Sequence, residues 1–158
     1  MTIKIGEFEF EIEKVNDKLK EIDAESILLQ LPDGLKRRYG PLIDELEGDV
    51  KLWGGTCYGA CDLPPSLDDE DVLIHVGHSD IPNLKTDYPV IFMEGRSVTS
   101  IDTPEVLFDK LNGKVALYST VQYRNQMDEI KNTLEKKGFR TALEIGRASC
   151  RERVYCEV

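Results

Sequence analysis

The chain has 158 residues, of which 41% are apolar, and its formal net charge is −10 at pH 7. This length predicts one domain or slightly more. The negative charge argues against binding nucleic acid or an anionic membrane through a broad basic surface. No stretch approaches the roughly 18 apolar residues of a membrane span, and the N-terminus has no signal-peptide core. We therefore expect a cytoplasmic protein, in which paired cysteines suggest metal binding or catalysis before disulfides.

The C-terminal sequence needs separate treatment before the fold is considered. Residues Glu144–Val154 read EIGRASCRERV, which is identified as the translation of a common short-read sequencing adapter. We expect residues 145–158 to be a non-native tail that replaces the natural continuation, and exclude them from fold prediction. Cys150 and Cys156 fall in this tail, so two cysteines remain for chemistry.

The first half of the chain alternates predicted strands and helices. Residues 2–10 predict a short strand or a free arm, and the apolar spacing over Ile12–Asp23 predicts an amphipathic helix. Ser26–Leu31 reads as a strand buried on both faces. A helix is expected over Leu35–Leu46, with a possible break at Gly40-Pro41, and then a strand over Val50–Trp53. Strand, turn, helix and strand in this order imply a right-handed crossover and parallel pairing.

The second half continues the same pattern. The acidic run Asp68–Asp71 suggests the start of a short helix, Thr103 suggests the cap of another, and Gly138 suggests a helix end. The other expected elements are strands at Val72–Val76, Val90–Met93 and Lys114–Ser119, a helix over Gln122–Lys137, and a strand from Phe139. The fold class is therefore α/β, with a Rossmann-like parallel sheet flanked by helices. We predict a first domain over residues 1–112 and the beginning of a second over 113–144.

Four polar motifs follow predicted strands. Asp33-Gly34 follows the strand at Ser26–Leu31, which we count as the first, and a glycine-rich loop with Cys57 and Cys61 follows the second. Gly77-His78-Ser79 follows the third strand, and Thr120–Gln122 follows the fifth. Ligands of open α/β sheets bind beyond the carboxyl ends of the strands. If the sheet is parallel, the first three motifs meet at one edge and form a site.

Each of these residues also has a structural interpretation. Cysteine is common in protein cores, so the pair can be incidental. His75 lies in an apolar run and is better explained as a hydrogen-bonded core residue, whereas His78 lies in a turn, where an exposed imidazole is more often functional. Asp33 can cap the next helix, and Gln122 can simply begin one.

Two metal centres are compatible with this set. Cys57, Cys61, His75 and His78 could bind zinc, although two residues between the histidines is fewer than the usual three to five. An iron–sulfur cluster needs about four thiolates, or three with one iron left open. This chain supplies at most two of them outside the tail.

Four segments of the chain resemble a known family. LPDGL at Leu31–Leu35, CYGACD at Cys57–Asp62, IHVGHS at Ile74–Ser79 and STVQY at Ser119–Tyr123 are similar in order and spacing to motifs of the archaeal diphthamide synthases. This family is also called 2-(3-amino-3-carboxypropyl)histidine synthase. YGACD followed by HxGHS is the specific combination, and the resemblance covers nearly all of residues 25–143.

The resemblance implies a fold and a reaction. Family members have three similar parallel α/β domains, each giving one cysteine to a central 4Fe–4S cluster whose open iron binds S-adenosylmethionine. The reduced cluster cleaves the S–Cγ bond, and the 3-amino-3-carboxypropyl radical adds to a histidine of elongation factor 2. This is the first step of diphthamide biosynthesis, and the archaeal enzymes are homodimers.

The resemblance also implies roles for individual residues. The cysteine of the GAC triplet is Cys61, which is expected to be a cluster ligand, with Cys57 a neighbour that binds no iron. No catalytic side chain is singled out. As written, the chain would lack two cluster cysteines and be inactive; a small zinc-binding α/β module and a metal-free binding domain remain the alternatives. The residues expected to line the S-adenosylmethionine pocket are Asp33, Gly34, His78, Ser79 and Gln122.

Overall fold

The chain folds into α/β units whose elements follow the predicted order. The computed structural model of the protein describes residues 1–81 and 84–146. Two single 3₁₀ turns, Lys36–Arg38 and Val121–Tyr123, precede helices. The helices and strands are β1 (Thr2–Ile5), β2 (Phe8–Glu11), α1 (Ile12–Glu21), β3 (Ser26–Gln30), α2 (Gly40–Glu45), β4 (Asp49–Leu52), β5 (Val72–Val76), β6 (Val90–Met93), β7 (Gly95–Ser97), α3 (Glu105–Phe108), β8 (Lys114–Thr120), α4 (Arg124–Lys136) and β9 (Arg140–Gly146).

A four-stranded parallel sheet forms the centre of the molecule. Its strand order is β4-β3-β5-β6, and every neighbouring pair is parallel. Every residue of β5 is buried, as expected for a central strand covered on both faces. The predicted α/β class and parallel pairing are confirmed. The core of this sheet includes Ile27, Leu29, Leu31, Val72, Ile74, Val76 and Met93, with Ile12, Val15 and Leu19 from α1.

The N-terminal residues form a second, antiparallel sheet. β1 pairs with β2, and β2 pairs with β7, so that Phe10 lies opposite Gly95. Residues 2–10, expected to be one short strand or a free arm, instead contain two strands joined by a turn at Gly6. The partner of β2, β7, lies outside the strands predicted from the sequence, so the local sequence held no signal for this pairing.

Three helix predictions differ from the structure. The helix expected over residues 35–46 is divided into a 3₁₀ turn and α2, with Gly40 and Pro41 opening α2, because proline fits the first turn of a helix. No helix forms at the acidic run. α3 starts at Glu105 and has no side-chain cap from Thr103. No helix in the described ranges has the length and apolarity to cross a membrane.

The last elements form a separate βαβ unit. β8 and β9 pair in parallel as a two-stranded sheet, and α4 connects them and contacts both. Gly138 has φ +89° after α4, which fits the predicted C-terminal glycine. β9 continues through Ile145 and Gly146, the first two residues of the predicted non-native tail, whereas the rest of that tail lies outside the described residues. The boundary at residue 112 stays a prediction.

Candidate metal and ligand site

The predicted site residues meet at the carboxyl edge of the parallel sheet. β3, β4 and β5 run in the same direction, so their last residues share one edge. Gln30 ends β3, the glycine-rich loop containing Cys57 follows β4, and His75 and His78 lie at the end of β5. The prediction that the motifs after these strands converge is confirmed.

Cys57, His75 and His78 form a compact buried group. The Sγ of Cys57 and one ring nitrogen from each histidine all lie within 4.8 Å of one another. The three side chains are only 3%, 0% and 5% exposed. The burial of His78 corrects the expectation of an exposed imidazole. The turn at Gly77, with φ +85°, brings its ring to 4.9 Å from the His75 ring.

Gln30 fixes the orientation of His75. The two residues are register neighbours on β3 and β5, and Gln30 Oε1 lies 2.6 Å from His75 Nδ1. His75 is therefore the buried, hydrogen-bonded histidine that the sequence predicted. Gln30 was not singled out, although a polar residue inside the apolar run SILLQL was the available signal.

Burial sets the protonation of this group. It raises the pKa of the Cys57 thiol to about 11, with a smaller contribution from Asp62. It lowers the pKa of His75 to about 4, with His78 adding to the effect, and it also lowers the pKa of His78. Near neutral pH the group therefore consists of one thiol and two uncharged imidazoles.

The glycine-rich loop is tied to the sheet by a lysine that the sequence analysis missed. Lys36 Nζ donates a hydrogen bond to the backbone carbonyl of Gly55 and lies 2.6 Å from Asp33 Oδ1. Asp33 therefore pairs with a cation, and no side-chain cap is formed at this turn. Cys61 is exposed on the same loop.

An apolar cavity lies next to the turn at Gly77, the residue that precedes His78 of the buried group. It has a volume of about 230 Å³. Gln122 Nε2 donates a 3.1 Å hydrogen bond to the carbonyl of Gly77, so the last βαβ unit closes one side. Two predicted pocket residues, Gly34 and Gln122, thus share one cavity, whereas Asp33, His78 and Ser79 adjoin it in sequence without lining it. The lining residues are Phe8, Phe10, Pro32, Gly34, Leu35, Gly77, Gly95 and Gln122.

A larger cavity of about 350 Å³ opens beside α1, β2 and β6. Four of its charged side chains form ion pairs: Glu11 pairs with Lys14 and Arg96, and Arg96 pairs with Glu94. It contains none of the motif residues. We therefore place the candidate ligand site at the smaller cavity, which the motif residues do line.

Comparison with known proteins identifies the family. A family model described as putative diphthamide synthesis protein matches residues 31–157. The chain belongs to this diphthamide synthesis family. The 2-(3-amino-3-carboxypropyl)histidine synthase of Pyrococcus horikoshii is 36% identical over 85% of this chain. Subunit 1 of the synthase from Encephalitozoon cuniculi is 28% identical over 82% of the chain, so the family's relatives are eukaryotic as well as archaeal.

Solved structures agree with this membership of the diphthamide synthesis family. The crystal structure of Dph2 from Pyrococcus horikoshii superposes with a TM-score of 0.67 and 31% identity over 89% of this chain. A second crystal structure of the same protein, solved with a 4Fe-4S cluster, gives the same values. The chain spans 41% and 39% of the lengths of the two synthases above and 43% of the crystallised Dph2.

Proposed function

We propose that the complete protein transfers the 3-amino-3-carboxypropyl group of S-adenosylmethionine to a histidine of elongation factor 2. The observation that carries this proposal is the meeting of family motifs at one sheet edge. Gly34, Gly77 and Gln122 come from three distant motifs and line one cavity, and the cysteine loop lies at the same edge. The related Pyrococcus horikoshii Dph2 has been crystallised with a 4Fe-4S cluster, which supports the same cofactor here.

Cys61 is the residue we assign to the cluster. It is exposed on a loop whose neighbouring residues Gly59 and Ala60 are small, which leaves room for a bulky group. Iron binds the thiolate form of cysteine. The cluster, once bound, supplies the electron that cleaves the S–Cγ bond of S-adenosylmethionine. Cys57 is 3% exposed and packs against the two histidines, so it is not a cluster ligand.

We assign the S-adenosylmethionine pocket to the cavity beside Gly34 and Gln122. Its volume of about 230 Å³ lies below the roughly 300–1,000 Å³ of a complete ligand pocket, so it holds only part of the molecule. Asp33, 44% exposed and paired with Lys36, offers a carboxylate on the residue that precedes Gly34 of the cavity lining. His78 and Ser79 shape the turn that bounds the cavity at Gly77.

The remaining parts of the proposal concern the whole protein. A cluster held by one cysteine from each of three domains needs two thiolates that residues 1–143 do not provide. We propose that the complete enzyme is a cytoplasmic homodimer and that this chain alone is inactive. Elongation factor 2 is the protein substrate, since the modified residue is one of its histidines.

A chimera tests this function. Residues 1–143 are joined to the remaining C-terminal part of the Pyrococcus horikoshii synthase, and the protein is reconstituted anaerobically with iron and sulfide. Iron content and transfer of label from carboxyl-labelled S-adenosylmethionine to elongation factor 2 are then measured. We expect Cys61→Ser to abolish both and the matched Cys57→Ser to retain the cluster. Unchanged iron content in Cys61→Ser would contradict the assignment.

A further inference from the structure

We propose that Cys57, His75 and His78 form a binding site for a single zinc-like divalent metal ion, separate from the iron–sulfur cluster. This inference goes beyond the proposed function and does not depend on it. It rests on two observations: each histidine has a buried ring nitrogen without a hydrogen-bond partner among the described residues, and each places a ring nitrogen within 4.8 Å of the buried Cys57 sulfur. The position of the proton on His75, the spacing of the donor atoms and the hydrogen bonds of Gln30 also support a metal site.

Hydrogen bonding determines which nitrogen of His75 carries a proton. Gln30 Nε2 donates to the carbonyl of Asp62 at 2.6 Å and more weakly to that of Thr56 at 3.5 Å. Both partners are acceptors, so the amide nitrogen must face them and Oε1 must face His75. An amide oxygen only accepts, so His75 Nδ1 carries the hydrogen. His75 Nε2 therefore has a free lone pair.

That lone pair has no partner among the described residues, and neither has His78 Nδ1. A buried polar atom left without a hydrogen bond costs about 1–3 kcal/mol. Both histidines that carry such an atom also place a ring nitrogen within 4.8 Å of the Cys57 sulfur, although most buried polar atoms in proteins are paired. A bound group that accepts electron pairs from all three atoms removes this cost.

A zinc-like ion fits the donor set. Zinc binds cysteine sulfur and histidine nitrogen at about 2.0–2.3 Å, so ligand atoms of a tetrahedral site lie about 3.4–3.8 Å apart. One ring nitrogen of each histidine and the Cys57 Sγ are within 4.8 Å of one another, and a contraction of about one ångström closes the site. Three protein ligands leave the fourth position for water or another ligand, as in catalytic zinc sites.

The surroundings support these ligands in the way metal sites require. A metal-bound histidine usually donates its other ring N–H to a fixed acceptor, which is the role of Gln30 Oε1 toward His75. Gln30 also holds the cysteine loop at Thr56 and Asp62, on either side of Cys57. One amide therefore positions ligands from two different segments.

Cobalt binding tests the site. The full chain carrying Cys150→Ser and Cys156→Ser, which removes the tail thiols, is reduced, stripped of metal and titrated with Co²⁺. We expect one Co²⁺ per chain, with a sulfur-to-cobalt charge-transfer band that stoichiometric Zn²⁺ displaces. Failure to bind Co²⁺ or Zn²⁺ at equimolar concentration overturns the proposal and leaves a buried water as the partner of the two nitrogens.

Matched variants identify the ligands. Cys57→Ser is expected to lose the charge-transfer band, whereas Cys61→Ser, the same change in the same loop, keeps it. Gln30→Leu is expected to weaken Zn²⁺ binding about 10–100-fold, as for other supporting residues. Loss of the band only in Cys61→Ser overturns the proposal. Circular dichroism checks that each variant is folded.

One measurement needs no variant at the ligands. X-ray absorption at the zinc edge of the loaded chain is expected to show one sulfur and two imidazole ligands. A shell of two or more sulfurs, or of oxygen and nitrogen only, contradicts the site. The iron content of the chimera measured for the proposed function tests the cluster assignment separately, so failure of either idea is distinguishable.

Discussion

At the scale of single residues, Gly77 shows why the HVGHS motif contains its glycine. Its φ is +85°, and a Cβ there would lie 3.1 Å from Pro32 Cγ. The left-handed conformation costs a non-glycine residue about 1–3 kcal/mol when it is forced on it. We expect Gly77→Ala to lower the free energy of unfolding by this amount in urea denaturation. Gly54, which has an ordinary φ and open space within 4 Å of where a Cβ would lie, is the control, and an equal loss in Gly54→Ala would contradict the explanation.

Gln30 gives a second test at this scale. Its side chain is fully buried and bonds to His75, Asp62 and Thr56. Gln30→Leu leaves these groups unpaired, and each costs about 1–3 kcal/mol when desolvated without a partner. We expect a loss of at least ~1–3 kcal/mol in metal-free protein, measured by urea denaturation. Gln122→Leu, which removes one hydrogen bond from a half-buried amide, is expected to cost less. The opposite order would show that Gln30 is not the main support of the edge.

Asp71 predicts a dependence of stability on pH. Its carboxylate accepts hydrogen bonds from the backbone N–H groups of Ser26 and Glu25, and these lower its pKa. The folded state therefore favours the charged form. The stabilisation is present above the unfolded pKa of about 3.9 and is lost as pH falls through the lower folded value.

The measurement compares wild type with Asp71→Asn. We expect the variant to be less stable at pH 7 and the difference in unfolding free energy to shrink on acidification below pH ~4. Asp69→Asn removes the same charge from the same exposed loop without these hydrogen bonds. A difference for Asp71→Asn that stayed constant down to pH ~2 would exclude this linkage.

At the scale of elements, the positions of strands in the sequence were predicted better than the pairing of strands that are far apart in the chain. The bounds of β5 and β6 were predicted to the residue, because a strand buried on both faces is recognisable from its run of consecutive apolar residues. The pairing of β2 with β7 was not, since it depends on residues far apart in the chain. The acidic run was wrongly predicted to begin a helix. Glu70 instead forms an ion pair with Lys51, and Asp71 accepts a hydrogen bond from the backbone of Ser26. Both contacts join residues far apart in the sequence, so no local pattern predicts them.

The features of the candidate site divide in the same way between those predictable from local sequence and those that depend on tertiary contacts. The meeting of the motifs followed from strand direction, which the alternation of elements predicted. The burial of His78 and the role of Gln30 did not follow, because they depend on the turn at Gly77 and on the register of β3 against β5. Phe8 and Phe10 were missed as cavity residues because their hairpin had no predicted position.

The β2–β7 contact carries its own prediction. A Cβ on Gly95 would lie 2.8 Å from Phe10 Cε1, and the Phe10 ring is fully buried. We expect Gly95→Ala to destabilise the protein by about 1–3 kcal/mol through overpacking. Adding Phe10→Leu makes room, so the double variant should lose less than the sum of the two single changes. Strict additivity in thermal or urea unfolding would refute the contact.

At the scale of the whole molecule, the proposed cluster would take one ligand, Cys61, from residues 1–143 and its other two cysteines from elsewhere in the complete protein. We expect anaerobic reconstitution of the 158-residue chain under reducing conditions to give no stable 4Fe–4S absorption and no transfer to elongation factor 2. The reason is that Cys61 is the one cluster ligand we assign within residues 1–143. A stable cluster with four irons on the monomer, measured by absorption and iron analysis, would contradict this prediction.

The antiparallel pairing of β2 with β7 also has a consequence for biosynthesis. β2 leaves the ribosome well before β7, so the pairing of Phe10 with Gly95 forms only after Gly95 has emerged. Until then the hairpin has one neighbour, and an isolated hairpin is marginal in water. β2 therefore cannot pair with β7 until the residues of the parallel sheet between them have been synthesised. This pairing closes a long loop, and the entropy cost of closing it makes the step slow. Nascent chains stalled before Gly95 has left the exit tunnel should expose Phe10 to chaperones, and chains stalled after Ser97 has left it should expose Phe10 less.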